Sequence, residues 1–162
     1  MKKLFTVMAV LCCAAVFAAE ASNSLKFNHS NFKYYGKDAY VFDDGANGKV
    51  GAMKADSGWA LSLHLPANFD FNKTYEVYAL VRGTFGEANA NSRGGIGVYN
   101  TVAKKIVGNV GFPIKQINTD KYQRIFIGKY KFAKGMYIYV SGVAPKNPEN
   151  RIFVKEFEFI AK

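Results

Sequence analysis

The residue types that carry out catalysis are scarce in this chain. Of 162 residues, two are histidine and 12 acidic, against 22 lysines and arginines, 10 tyrosines and 14 phenylalanines. His29 and His64 are far apart and in no metal-ligand spacing. There is no G-x-S-x-G elbow, phosphate loop or dinucleotide fingerprint. Cleaving a glycosidic bond needs two carboxyl groups across a cleft. Glu156 and Glu158 would share one strand face, about 7 Å apart along it. Arg151 and Lys155 stand nearby, so a solvated, charge-compensated face explains the pair without chemistry. Glu76 and Glu87 are the other strand and loop acids. A glycosidase or lyase is the most distant reading, and no catalytic residue is assigned.

The elements that must position any site are strands. Apolar residues recur with period two, and glycine and asparagine clusters interrupt them at short intervals. Strands are predicted at 59–65, 75–82, 96–99, 122–130, 136–140 and 152–160, with weaker ones at 25–27, 39–42, 50–54 and 105–110. That number of short strands in one domain suits two packed sheets, an all-β sandwich. Residues 83–95 (GTFGEANANSRGG) read as a surface loop, and Pro145 and Pro148 mark another. In SGWALSLHLP (57–66), alternation places Trp59, Leu61, Leu63 and Leu65 on one face and Ala60, Ser62 and His64 on the other. The only tryptophan is therefore expected in the core.

Lys2 and Lys3, the apolar run 4–18 and the A-x-A at 19–21 form a secretory signal peptide, too short to span a bilayer comfortably. Cleavage is expected after Ala21, with Ala18 or Ala19 as alternatives. One domain, 22–162, remains, with no membrane span, for a secreted or periplasmic protein. Val10 and Leu11 precede Cys12, which argues against lipidation. Loss of Cys12 and Cys13 leaves no thiol for a disulfide or a zinc site. The formal charge of +10 falls only to about +9. Such a balance favours acidic partners: uronate-bearing or sulfated polysaccharides, or anionic envelope surfaces. No run of lysine or arginine makes a nucleic-acid-binding arm, so nucleic acid is not an expected partner.

Several segments, in order, resemble the galactose-binding-like β-sandwiches. DGANGKVGA (44–52) resembles their D-x-x-A-S-x-G-x-A turn, and NKTYEVYALVRG (72–83) their "gkTYel.a.VR" strand. KYQRIFIGKYKF resembles "y..v.iG.f", and NRIFVKEFEFI the closing "vyIDdieli", with Lys155 at the usual aspartate. The resemblance covers most of the chain from Asp43 onward. It implies a two-sheet jelly-roll sandwich of the kind found in carbohydrate-binding modules and accessory domains of bacterial glycoside hydrolases, without catalysis. Several such modules hold a structural calcium. Asp43, Asp44 and Glu156 are the nearby carboxylates, but Lys155 counts against the ion, and DDGANG is not an alternating D-x-D-x-D-G loop. A polar turn with Gly45 and Gly48 at positive φ is expected instead, and no cofactor.

With the family tyrosine, Tyr75, facing the core, alternation turns Glu76, Tyr78, Leu80 and Arg82 outward. Ile125, Ile127, Ile138 and Val140 inward turn Arg124, Phe126, Tyr137 and Tyr139 outward, and Tyr99 falls beside Gly97 on an outer side. Tyr78, Arg82, Tyr99, Arg124, Tyr137, Tyr139 and His64 thus form the candidate ligand surface. Rings cover the apolar face of a pyranose, while arginine and histidine bond hydroxyls or anionic substituents. The leading reading is a non-catalytic carbohydrate-binding module for an acidic polysaccharide. The alternative is a structural or adhesive domain that contacts an envelope protein. Tyrosines also pair across strands for stability alone, about 0.2–1 kcal/mol per pair.

Overall fold

The structure, a computed structural model, describes residues 24–86, 93–142 and 149–162. The expected signal peptide (1–21), most of the loop after Gly86 and the Pro145–Pro148 turn lie outside the described residues. The strands are β1 (Ser24–Asn28), β2 (Phe32–Tyr34), β3 (Ala39–Asp43), β4 (Lys49–Lys54), β5 (Gly58–His64) and β6 (Thr74–Thr84). They continue as β7 (Arg93–Asn100), β8 (Lys105–Pro113), β9 (Gln123–Lys131), β10 (Met136–Ser141) and β11 (Arg151–Ala161). One helical turn, α1 (Ile114–Ile117), joins β8 to β9. Every predicted strand is present. The short β2 was not predicted, because three residues carry too little alternation to be read.

The strands form two antiparallel sheets. The first runs β3-β4-β11-β6-β9, with β1 also paired to β11; the second runs β2-β5-β10-β7-β8. Most neighbours are distant in sequence, as the jelly-roll expectation requires. Alternation explains the packing between the sheets. Tyr75, Val77, Ala79 and Val81 of β6 are buried in turn, while the residues between them are partly exposed. Phe157 and Phe159 of β11 meet them from the same sheet, and Leu61, Leu63, Ile96, Val98, Ile138 and Val140 close the core from the second. A string of aromatic contacts fills one end: Phe159 lies 5.2 Å from Phe27 and 5.5 Å from both Phe69 and Phe132.

The turn before β4 is as expected, with Gly45 at φ 58° and Gly48 at φ 71°. Both angles lie where a Cβ is unfavourable.

Candidate functional site

Trp59 is not in the core. Gly58 pairs with Ser141, and the next pair is Leu61 with Val140, so Trp59 and Ala60 form a bulge opposite β10. Trp59 adopts φ 62°, one of two non-glycine residues with positive φ among those described. That backbone reversal takes its side chain out of phase with Leu61 and Leu63, which stay buried, and onto the outer face of the second sheet. There its indole stacks on Tyr139 (4.4 Å between centroids, 23° between planes) and meets Tyr99 at 5.2 Å and Tyr137 at 6.4 Å. It remains 37% exposed.

The surrounding rings follow from register. Tyr137 pairs with Tyr99 on one side and His64 on the other, giving a row across three strands. His64 lies parallel to Tyr137 at 4.7 Å, and its Nε2 is 3.1 Å from the Tyr35 hydroxyl. In the next row Tyr139 sits between Gly97 and Ser62. A side chain on Gly97 would collide with the Tyr139 ring, so the glycine lets that ring lie flat under the indole. Tyr139 is thereby only 2% exposed. It is the floor, and Trp59 is the exposed ring above it.

The site is neutral in its rings and positive at its margin. Burial, then the charge of Lys33, holds His64 below the usual histidine range. Burial raises Tyr137 and Tyr139. At pH 7 the imidazole is uncharged and these phenols keep their protons, so the surface presents hydroxyl donors and acceptors beside apolar rings. The five strands of this sheet contain no aspartate or glutamate, yet carry Lys33, Arg93 and Lys105. The buried Ser62 hydroxyl, in the Tyr139 row, has no hydrogen-bond partner among the described residues.

The expected ligand surface is divided. His64, Tyr99, Tyr137 and Tyr139 come together on the second sheet, with Trp59, which alternation had placed in the core. Tyr78 and Arg124 lie on the outer face of the first sheet, on the other side of the sandwich. There Arg124 covers the Tyr78 ring at 3.3 Å and donates to Glu158 at 2.8 Å. Arg82 is withdrawn from solvent: it pairs with Asp44 and stacks on Phe153 at 4.1 Å. Alternation says which residues point outward, but not to which sheet a strand belongs.

The three carboxylates nearest the expected calcium region do not fit an ion. Asp44 accepts from Arg82 and from the Tyr122 hydroxyl (2.7 Å). Glu156 is bound by Lys26 at 2.9 Å, and Asp43 accepts from the Gly45 amide at 3.1 Å. Among the described residues no group of three or more histidine, cysteine or acidic side chains is placed to hold a metal. Glu156 and Glu158, each bound to a cation, face outward on the first sheet rather than across a cleft.

No protein-family model matches the chain, and no curated protein matches it significantly. Solved structures do. The fold resembles that of carbohydrate-binding modules. The chain matches CsCBM6-3 from Clostridium stercorarium, solved with cellobiose, at 17% identity and TM-score 0.55, over 85% of this chain and 94% of that one. It matches a module of family CBM36, solved with calcium and xylotriose, at 16% identity and TM-score 0.51, over 83% and 98%. The same fold occurs within larger proteins. The insecticidal crystal protein Cry2Aa matches at 13% identity and TM-score 0.56 over 85% of this chain but only 21% of its own.

Proposed function

We propose that this protein binds carbohydrate without acting on it, that the site is the ring-lined outer face of the second sheet, and that the ligand is an acidic polysaccharide. Trp59 carries the reading. A tryptophan held at φ 62° with its indole on the surface is costly for folding, by about 1–2 kcal/mol for the backbone alone. Strain of this kind concentrates at ligand sites. Its ring, with Tyr99 and Tyr137, offers the flat apolar area on which the C–H face of a pyranose packs, while His64 and the phenols bond its hydroxyls.

The similarity to modules solved with cellobiose and xylotriose supports the carbohydrate part. The acidic preference rests on this chain's own charges, since a sheet that carries Lys33, Arg93 and Lys105 and no strand carboxylate attracts carboxylate or sulfate groups. Export through the signal at 1–21 would bring the protein to such polymers.

Affinity electrophoresis in gels holding neutral, uronate-bearing or sulfated polysaccharides tests this at low and raised salt. Retardation by one acidic polymer that survives salt and is lost in Trp59→Ala is the expected result. Retardation by every acidic polymer, abolished by salt, would reduce the interaction to net charge. No retardation would refute the reading and leave an adhesive module that contacts an envelope protein.

A further inference from the structure

A second feature lies at the end of the hairpin formed by β7 and β8. Val102 in its turn is 80% exposed, and Ile106 and Val107 at the start of β8 are 51% and 43% exposed. The turn is not slack. Asn100 Oδ1 accepts from the amides of Val102 (2.9 Å) and Ala103 (3.0 Å). The Thr101 amide and hydroxyl both donate to Gly135 O, at 3.1 and 2.9 Å. Three aliphatic side chains are thus held out in water on a braced hairpin.

Lysines lie on the hairpin and on the segments next to it. Lys104 and Lys105 are in the hairpin, and Lys134 precedes the Gly135 to which the turn is fastened. Lys129 and Lys131 are on the neighbouring β9, where they lie on the outer face of the first sheet in register with Glu76 and Thr74, while Tyr130 between them packs where Gly108 of β8 lacks a side chain. All five lysines are exposed, and among the described residues none forms an ion pair. From residue 93 to 142 the sole acidic residue is Asp120, at the end of β9 remote from Lys131. Glu76 pairs in register with Lys129, but its carboxylate is bound to Lys162 at 3.1 Å.

Lysine on an edge strand prevents pairing with a second sheet, which accounts for Lys105, Lys129 and Lys131 and argues against a second copy here. It does not account for Val102. A polyanionic chain would use the lysines and leave the aliphatic groups in water. A bilayer with anionic headgroups satisfies both. We propose that the hairpin tip docks on an anionic phospholipid surface, with Val102 and Ile106 at the boundary of headgroups and acyl chains and the lysines on phosphates. The tip adjoins the glycan face, since Ile106 is the cross-strand neighbour of Tyr99 and Lys105 of Asn100, but Val102, Lys104 and Lys134 lie outside it, and the inference goes beyond that reading.

Flotation with vesicles of phosphatidylcholine, alone or mixed with phosphatidylglycerol, tests it on the protein from Ser22 onward, which keeps every described element. Binding to the mixed vesicles alone is expected. Each lysine near such a surface is worth about a fivefold change in partitioning, so Lys104→Glu with Lys105→Glu should weaken it by about 25-fold or more. Val102→Asn, which leaves every charge unchanged, should weaken it by at least about fivefold. Trp59→Ala should leave it unchanged.

Absence of binding at low salt would overturn the proposal. So would an equal effect of Lys49→Glu with Lys121→Glu, which lie away from the tip, or indifference to the charge-neutral Val102→Asn, since only total charge would then be read. Self-association abolished by Val102→Asn without vesicles would assign the tip to a second copy instead.

Discussion

The left-handed backbone at Trp59 makes a prediction that runs against ordinary strand behaviour. Trp59→Ala and Trp59→Gly both delete the indole, so both lose its ring contacts, of order 0.5–1.5 kcal/mol for the stack on Tyr139. They differ in the backbone. Alanine at φ 62° keeps a cost of about 1–2 kcal/mol that glycine lacks, while glycine gives up about 0.5–1 kcal/mol in chain entropy. Trp59→Gly should therefore be the more stable variant by about 0.5–1 kcal/mol, about 2–4 °C in Tm for a domain of this size. At a normal strand position the order is reversed. The assay is paired thermal unfolding by circular dichroism, with affinity electrophoresis of the same samples. Both variants should lose polysaccharide retardation equally. If Trp59→Ala is the more stable, the residue is not in the left-handed region. The bulge, the outward indole and the site built on it would all be refuted.

Two further substitutions test the supports of the site and the fold. In Gly97→Ala the new Cβ would lie 2.5 Å from Tyr139 Cζ and 2.8 Å from the Gly108 carbonyl oxygen, which cannot move aside. Overpacking of this kind costs about 1–3 kcal/mol, read as a lower urea midpoint, and should disturb binding by lifting Tyr139 and the indole above it. Gly111→Ala, with its nearest atom at 3.7 Å, should do neither. Asp44→Asn should cost about 2–3 kcal/mol, because it leaves Arg82, its side chain only 11% exposed, without a counter-charge. Burial pushes the Asp44 carboxyl up, but the hydrogen bonds from Arg82 and Tyr122 outweigh it and hold it below the usual value. The pair's contribution is then present above the unfolded carboxylate range near pH ~4 and lost as pH falls through the lower folded value. Urea midpoints of wild type and Asp44→Asn should converge as pH is lowered below the ordinary carboxylate range and through the depressed folded value.

What the sequence revealed of the fold, and where it fell short, follows from the range of the interactions involved. Alternation is local, and it correctly separated Val77, Ala79 and Val81 from Tyr78 and Arg82, and Ile138 and Val140 from Tyr137 and Tyr139. It assumes extended backbone throughout, so it placed Trp59 with Leu61 and Leu63. The bulge that reverses it appears only when β5 is laid against β10, and Gly58 is the sole local hint. Sheet membership is equally non-local. Tyr78 and Tyr137 both point outward, but on opposite sides of the sandwich, because β6 joins β11 and β10 joins β5. Arg82 reads as an outward cation until Asp44, from a distant turn, closes on it.

The net charge gains meaning only once it is divided between the sheets. In the first, Glu76, Glu156 and Glu158 are each bound to a lysine or arginine, while Lys49, Lys129, Lys131 and Lys155 are in no ion pair among the described residues. Exposed pairs of this kind add little stability. What sets the second sheet apart is that its strands hold no acid, so Lys33, Arg93 and Lys105 have no strand carboxylate beside them. A chain evenly coated with +10 would attract any polyanion weakly, and salt of moderate strength would erase that attraction beyond about 8–10 Å. Cations set beside stacked rings act at contact distance, where screening is weaker and where the rings fix the ligand's position. Salt resistance of binding is therefore the property that separates a glycan site on this face from the basicity of the chain as a whole.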